Sequence, residues 1–289
     1  MIQKSYDDSA SLYLIPTPIG NLEDITLRAL NILKSVDVIL CEDTRDTGLL
    51  LKNYDMKKRL ISCHEYNERD IIDKVISFLN DGCNVGLVTD QGTPIISDPG
   101  YIVARGVIDA GYNVISLPGA TAFVPALTVS GIEPSPFMFY GFLNAKSGKQ
   151  KKELIDLKSV RCTMIFYESV HRLKETLENM LDVFGDRRIC ICREISKIHE
   201  EITRGCITDI LKLVDGMKGE FVLVVEGDKS TIDYSGLDIF DHVKMYCEDG
   251  MSEKDAIKLV AKERNIAKSI VYSEYHNRKW LYEIDSGIR

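Results

Sequence analysis

The sequence predicts an α/β fold of two α/β domains with a cleft between them, followed by a small C-terminal helical extension. Three observations carry this prediction. Short apolar runs alternate with amphipathic helical patterns through residues 1–230. Polar loops bearing glycine and proline follow three of those runs, at Pro16–Asp24, Thr89–Gly100 and Leu117–Ala122. The segment Gly131-Ile-Glu-Pro-Ser-Pro136 then breaks the rhythm, which sets expected domain limits of 1–130, 131–229 and 230–289. Repeated β–α alternation implies a mostly parallel sheet with right-handed crossovers.

The elements follow in order. Leu12–Pro16 reads as a strand, and Ile25–Ser35 as a helix with Leu27, Leu30, Ile32 and Leu33 at helical spacing. Val36–Cys41 and Arg59–Cys63 read as strands. Glu68–Asn80 places Ile71, Ile72, Val75, Ile76 and Leu79 on one side of a helix. Cys83–Val88 is a short apolar run of the kind buried in a parallel sheet. Asp98 followed by Pro99 reads as an N-cap with proline at the first helical position, opening a helix that ends near Gly111. Asn113–Leu117 is the last strand of the first half. In the second half Phe137–Phe142, Thr163–Tyr167, Arg188–Cys192 and Phe221–Val225 read as strands. A basic helical stretch, the helix Arg172–Phe184, Glu200–Arg204 and a short helix near Leu211 lie among them. The tail, Asp238 to Ile284, reads as short helices joined by a turn, with a weak likeness to a helix-turn-helix.

Composition narrows the class. The chain has 289 residues, enough for two domains, and carries 36 Lys and Arg against 44 Asp and Glu, a net charge of −8. That balance argues against indiscriminate coating of nucleic acid but leaves room for a local basic docking surface. The first ten residues lack an apolar segment, so no secretory signal is read. No run is long enough to span a bilayer. Eight cysteines are scattered without a C-x-x-C pair, several inside apolar strands, as expected of a reduced cytoplasmic protein. Five histidines stand without ligand spacing, so no metal site is read. There is no G-x-G-x-x-G or G-x-x-x-x-G-K-[ST], which disfavours a dinucleotide or triphosphate cradle. There is no G-x-S-x-G, H-E-x-x-H or S-x-x-K, so hydrolase chemistry has no support.

The loops carry the chemistry. In Thr89–Gly100, Asp90, Gly92, Thr93 and Pro94 place acceptors, bare backbone and a stiff turn at the carboxyl end of a strand, where open α/β sheets bind ligands. An ordinary strand-to-helix connection is the competing reading. Pro16, Pro18 and Gly20 do the same in the first loop, and Pro118-Gly-Ala-Thr-Ala122 in the third. Cys41-Glu-Asp-Thr-Arg-Asp46 and His64-Glu-Tyr-Asn67 end further strands in polar groups, readable either as caps and ion pairs or as walls of one cleft. Phe166-Tyr-Glu-Ser-Val-His-Arg172 and Arg193-Glu-Ile-Ser-Lys197 do so in the second half. Lys146-Ser-Gly-Lys-Gln-Lys-Lys152 is a cationic segment, and Tyr272, Tyr275 and Trp280 interleave with tail lysines and arginines as a conceivable RNA-docking face.

Taken together, Pro16-Thr-Pro-Ile-Gly-Asn, Glu42-Asp-Thr-Arg, Thr89-Asp-Gln-Gly-Thr-Pro-Ile-Ile-Ser-Asp-Pro-Gly100, Pro118-Gly-Ala-Thr-Ala, Phe166-Tyr-Glu-Ser-Val-His-Arg and Arg193-Glu-Ile-Ser-Lys resemble the tetrapyrrole methylase superfamily. Within it they are similar to the branch that methylates small-subunit ribosomal RNA. The motifs occur in that branch's order over nearly the whole chain. Gln91 stands where the branch usually has alanine, and Val170 where it often has proline. The resemblance implies S-adenosyl-L-methionine as cofactor in the cleft and a homodimer. It implies 2′-O-ribose methylation of a cytidine in 16S rRNA at the decoding centre, with the RNA in the small ribosomal subunit as partner. Carried over residue by residue, the cofactor would meet Pro18, Gly20, Asp90, Gly92, Thr93, Pro94, Ile95, Thr121, Ala122 and Tyr167. Methylating a hydroxyl needs a base or a cation for the developing alkoxide, for which the candidates are Glu168, Lys197, Asp43 and His64. Arg45, Lys149, Lys151, Lys152 and Arg172 are the candidate RNA contacts. The rival readings are a tetrapyrrole methylase of the same superfamily and a non-catalytic ribosome-assembly factor.

Overall fold

A computed structural model describes residues 3–5, 7–230 and 236–285, with side chains described through residue 280. The chain divides into two compact units, residues 1–228 and 229–289. The larger unit opens with β1 (Ser11–Leu14), a 3-10 turn at Leu22–Asp24, α1 (Leu27–Ser35), β2 (Val38–Cys41), α2 (Thr44–Asn53) and β3 (Arg59–Ser62). It continues through α3 (Glu68–Asn80), β4 (Val85–Leu87), α4 (Tyr101–Asp109), β5 (Asn113–Ser116) and α5 (Phe123–Val129). The five strands form one all-parallel sheet in the order β3-β2-β4-β1-β5. Because the strands are parallel, the loops after β1, β2, β4 and β5 all open on the same edge.

Side-chain alternation fills both faces of this sheet. Val38 and Leu40 point to the side covered by Ile71, Val75 and Leu79 of α3 and by Val103 and Val107 of α4. Ile39 and Cys41 point to the other side, where Leu33 of α1 and Leu51 of α2 pack. A strand buried on both faces has no polar side to show, which is why β2 reads Val-Ile-Leu-Cys. Each such fully buried aliphatic side chain contributes about 1.5–3 kcal/mol.

The second half supplies β6 (Phe137–Phe142), α6 (Ser147–Leu157), β7 (Thr163–Ser169), α7 (Leu173–Phe184), β8 (Arg188–Arg193), β9 (Glu201–Cys206), α8 (Ile207–Leu211) and β10 (Glu220–Val225). Its sheet runs β6-β7-β10-β8-β9. Only β6 and β7 pair in parallel; β7–β10, β10–β8 and β8–β9 are antiparallel. The expected parallel character therefore holds for the first sheet and not for the second. One face carries α6, α7 and α8 over Met164, Phe166, Ile191 and Leu223. The other carries α5 over Ile165, Cys190, Cys192, Val222 and Val224. The third loop thus leads a helix from the first sheet onto the second.

The smaller unit holds α9 (Ile239–Glu248), α10 (Glu253–Glu263) and α11 (Lys268–Asp285). Asp238 caps α9 through the Phe240 N–H, and Ser252 caps α10 by accepting from the Asp255 N–H while its hydroxyl donates to the Asp255 carboxylate. Val243, Ala256, Ile257, Val260 and Val271 form its core. Tyr275 belongs to that core, stacked on Phe240, while Tyr272 and Trp280 are exposed. Arg278 pairs with Asp238 and Lys279 with Glu253. The expected 230–289 extension partly lies outside the described residues. Among the described residues no helix is long and apolar enough to cross a membrane, and no His, Cys, Asp and Glu cluster could hold a metal.

Candidate active site

Backbone bonds zip the strand-end loops together. Thr17 and Gly92 exchange both N–H···O bonds at 2.9 and 3.1 Å, and the Thr17 hydroxyl donates to the Thr89 carbonyl. The Thr93 hydroxyl donates to the Ala120 carbonyl at 2.9 Å, joining the second loop to the third. A Cβ on Gly119 would lie 2.5 Å from the Pro16 ring, so the first and third loops touch only because this residue is glycine. Asp90 accepts from the Asp43 N–H at 3.2 Å and so ties in the loop after β2.

From the other sheet, the end of β7 lies beside the start of β10, with Glu168 opposite Phe221 and Ser169 opposite Glu220. Between these ends and the loops lies a cavity of ≈ 470 Å³. Ile19, Ile96, Phe142, Ile195, Phe221 and Val222 give it an apolar wall, and Glu42, Asp90 and Asp98 give it carboxylates. At a bulge in β6, Gly141 (φ 81) lets the second sheet approach the Ser97 hydroxyl.

Of the expected cofactor residues, Asp90, Gly92, Thr93, Thr121, Ala122 and Tyr167 line this cavity. Pro18, Gly20, Pro94 and Ile95 do not line it. Gly20 lies under the Lys197 stem, where a Cβ would meet Cγ at 2.2 Å. Ile95 holds φ at 76, a left-handed conformation that a β-branched residue rarely adopts. Burial pushes the Tyr167 phenol up, against the opposing pull of the Thr121 hydroxyl and nearby backbone N–H groups.

The four expected catalytic groups have separate settings. Glu168 lines the cavity, yet its oxygens are engaged by the Ser169 N–H, the Arg172 guanidinium at 2.8 Å and the Thr176 hydroxyl at 2.7 Å. Lys197 Nζ bridges Glu194 at 3.2 Å and Glu220 at 2.9 Å. Burial opposes its charge, but those hydrogen bonds prevail and raise its pKa. Asp43 caps α2 through the Arg45 N–H, and hydrogen bonds from Arg45 hold its carboxyl down at about 2. His64 lines a neighbouring depression, not the main cavity.

The expected RNA contacts also divide. Arg45 is exposed on Asp43, Lys151 pairs with Asp182, and Lys149 and Lys152 are exposed on α6. Arg172 faces inward, held by Glu168 and the Leu143 carbonyl.

The family described as Tetrapyrrole (Corrin/Porphyrin) Methylases matches residues 11–211. The chain belongs to the tetrapyrrole methylase family. It is 47% identical over 277 residues to a Bacillus subtilis (strain 168) protein named Ribosomal RNA small subunit methyltransferase I, covering 93% of this chain and 95% of that one. It is 42% identical over 233 residues to the Escherichia coli O157:H7 protein of the same name, covering 79% and 82%. Among solved structures, uroporphyrin-III-C-methyltransferase from Thermus thermophilus superposes with a TM-score of 0.55 at 22% identity, covering 75% of this chain and 94% of that one. The cobalt precorrin-4 methyltransferase CbiF superposes with a TM-score of 0.57 at 17% identity, covering 78% and 98%. Both show the shared fold. This tetrapyrrole methylase is a methyltransferase.

Asp98 is the site residue that the sequence did not disclose. The Ser-Asp-Pro pattern reads as a helix cap, but the N-cap of α4 is Gly100 at φ 120. The cap's acceptor is remote in sequence: buried Glu68 of α3 takes the Gly100 N–H at 2.7 Å and the Ile102 N–H at 2.8 Å. Asp98 is thereby released to the cavity. Burial pushes its carboxyl up to about 6; the Thr89 hydroxyl opposes this, and Glu42 and Asp90 add to it. Glu42 and Asp90 are themselves raised, mainly by burial.

Proposed function

We propose that this chain transfers a methyl group from S-adenosyl-L-methionine to the ribose 2′-oxygen of a cytidine in 16S rRNA, at the decoding centre of the small subunit. Methyltransferases of this family use S-adenosyl-L-methionine. The observation that carries the reading is Asp98, a carboxyl poised at about 6 on the wall of a ≈ 470 Å³ cavity built from strand-end loops. Near-full-length similarity to proteins named for ribosomal RNA methylation supplies the substrate class.

The wall fits the donor. Its volume lies in the ~300–1,000 Å³ range of small-molecule sites. Glu42, Asp90 and Asp98, with Glu168 and Glu220 held on Arg172 and Lys197, give a negative potential suited to a cationic sulfonium, and the apolar side chains exclude water. When bound, S-adenosyl-L-methionine supplies an electrophilic methyl group. Asp90, Gly92, Thr93, Thr121, Ala122 and Tyr167 would hold it, with Pro18, Gly20, Pro94 and Ile95 shaping the loops behind. Asp98 takes the proton of the attacking 2′-hydroxyl onto a carboxylate oxygen, since a base near its own pKa at working pH is the effective one. Glu168 fixes the end of β7 and Lys197 braces Gly20. Asp43 orients Arg45 toward RNA phosphate, and His64 borders the acceptor. Lys149, Lys151 and Lys152 extend the basic surface, while Arg172 holds Glu168 from within.

A homodimer belongs to the same proposal. Phe137 and Phe142 of the edge strand β6, with Val124 and Val129 of α5, are exposed apolar side chains on the α5 side of the second sheet, of the kind that marks an interface. Sedimentation at micromolar concentration tests it. For the activity, purified protein and radiolabelled donor are incubated with undermethylated small subunits and, separately, with uroporphyrinogen. Label in the rRNA alone supports the reading; label in the tetrapyrrole alone overturns it.

A further inference from the structure

Beside the donor cavity lies a second depression of ≈ 420 Å³ that shares Glu42, Ser97 and Asp98 with it and is completed by His64, Glu65 and Tyr66. Its outer wall is a turn held at both ends. Cys63 N–H donates to the Cys41 carbonyl at 2.8 Å, so the chain leaves β3 alongside the end of β2. Asn67 then locks the turn, accepting from the His64 N–H at 2.8 Å and donating to the Ser62 carbonyl at 3.1 Å. Tyr66 stands on this braced turn 84% exposed. Its ring lies 6.1 Å from that of His64 at 59°, so the two do not stack and a face of Tyr66 stays open.

The polar groups around it specify a ligand. Glu42, Glu65 and Asp98 present acceptors. His64 Nδ1 is buried without a hydrogen-bond partner among the described residues. A phosphate would be repelled here. A planar group with hydrogen-bond donors on its edge would not. Carboxylates pair with the exocyclic amine of a nucleobase, while a carbonyl edge such as that of uracil would set acceptor against acceptor. Single-stranded bases are recognised by stacking on exposed aromatics together with edge hydrogen bonds.

We propose that this depression receives the base of the acceptor nucleotide, swung out of its RNA strand, with Tyr66 stacked on its face and Glu65 and Glu42 accepting its exocyclic amine. Asp98, common to both cavities, then stands where the ribose must pass toward the donor. The inference rests on the RNA-methylation reading above and adds the base-selecting residues to it.

The test uses the intact protein with short RNAs carrying the target sequence, with cytosine or uracil at the acceptor position. RNA KM and kcat are measured by labelled methyl transfer, and donor affinity by calorimetry. Tyr66→Ala is expected to raise the RNA KM about 5- to 150-fold, the range of one base–aromatic stack, with donor affinity unchanged. Tyr66→Phe keeps the ring and is expected to restore wild-type KM. Glu65→Gln, able to donate as well as accept, is expected to narrow the preference for cytosine over uracil. Wild-type KM in Tyr66→Ala, or equal use of both bases by the wild type, overturns the inference while leaving RNA methylation standing. A wild type that binds the donor but methylates no RNA overturns both.

Discussion

At pH 8 the Asp98→Asn variant is expected to be more stable than the wild type and nearly inactive. Asp98 ordinarily titrates at 3.8 and is pushed to about 6 by burial and by the charges of Glu42 and Asp90. At about 1.4 kcal/mol per unit of pKa, that difference sets an upper bound of about 3 kcal/mol. Solvent reaching this half-buried group brings the expectation to about 1–3 kcal/mol. The sign follows from proton uptake. Between 3.8 and about 6 the folded chain keeps a proton that the unfolded chain releases, so stability falls as pH rises through that window. Below it the protonated acid and the amide are near equivalents. The advantage of Asp98→Asn should thus be full at pH 8, cut to about a third at pH 4.5 and nearly absent at about pH 3, as read by urea denaturation midpoints at constant slope. Methyl transfer should fall about 100- to 10,000-fold, the usual weight of a general base, and the wild-type rate should drop as pH falls below about 6. An asparagine variant with the same stability offset at all these pH values, or with a normal rate, would refute the assignment.

Other perturbations separate scaffold from chemistry. Gly119→Ala forces a Cβ to within 2.5 Å of the Pro16 ring; overpacking of this kind costs about 1–3 kcal/mol, and calorimetry should show weakened donor binding. Glu68→Ala removes both acceptors from the start of α4; leaving two buried donors unmet should cost about 2–4 kcal/mol by denaturation and displace Asp98, lowering kcat as well. Glu168→Ala leaves the inward-facing Arg172 without its ion pair, for which about 3–5 kcal/mol is expected, whereas Glu168→Gln should retain more stability; equal midpoints for the two variants would contradict the buried-pair account. Lys197→Met keeps the stem over Gly20 but loses the bonds to Glu194 and Glu220, so donor affinity should survive better than in Lys197→Ala.

Much of this architecture was legible because it is local. Val38–Cys41 and Val85–Leu87 announce themselves as strands buried on both faces, and α3 by its apolar stripe. What escaped was non-local. The cap of α4 comes from Glu68, 32 residues before Gly100, so a Ser-Asp-Pro sequence misplaced it on Asp98. The second sheet is mostly antiparallel because β10 inserts between β7 and β8, and spacing along the chain carries no trace of that insertion. α2 was hidden in the polar cluster after β2, readable as cap or cleft; in the structure Asp43 is the cap while Glu42 beside it faces the cavity. Tyr275 was grouped with tail aromatics by proximity to lysines, but its packing on Phe240 places it in a core.

A crystal structure of the protein with S-adenosylhomocysteine is the most direct measurement of the central claim. The account predicts the adenosyl group among Thr93, Thr121 and Tyr167, with its sulfur toward the side on which Asp98 opens. An adenosyl group bound elsewhere, with those strand-end loops in place and their cavity solvent-filled, would contradict it.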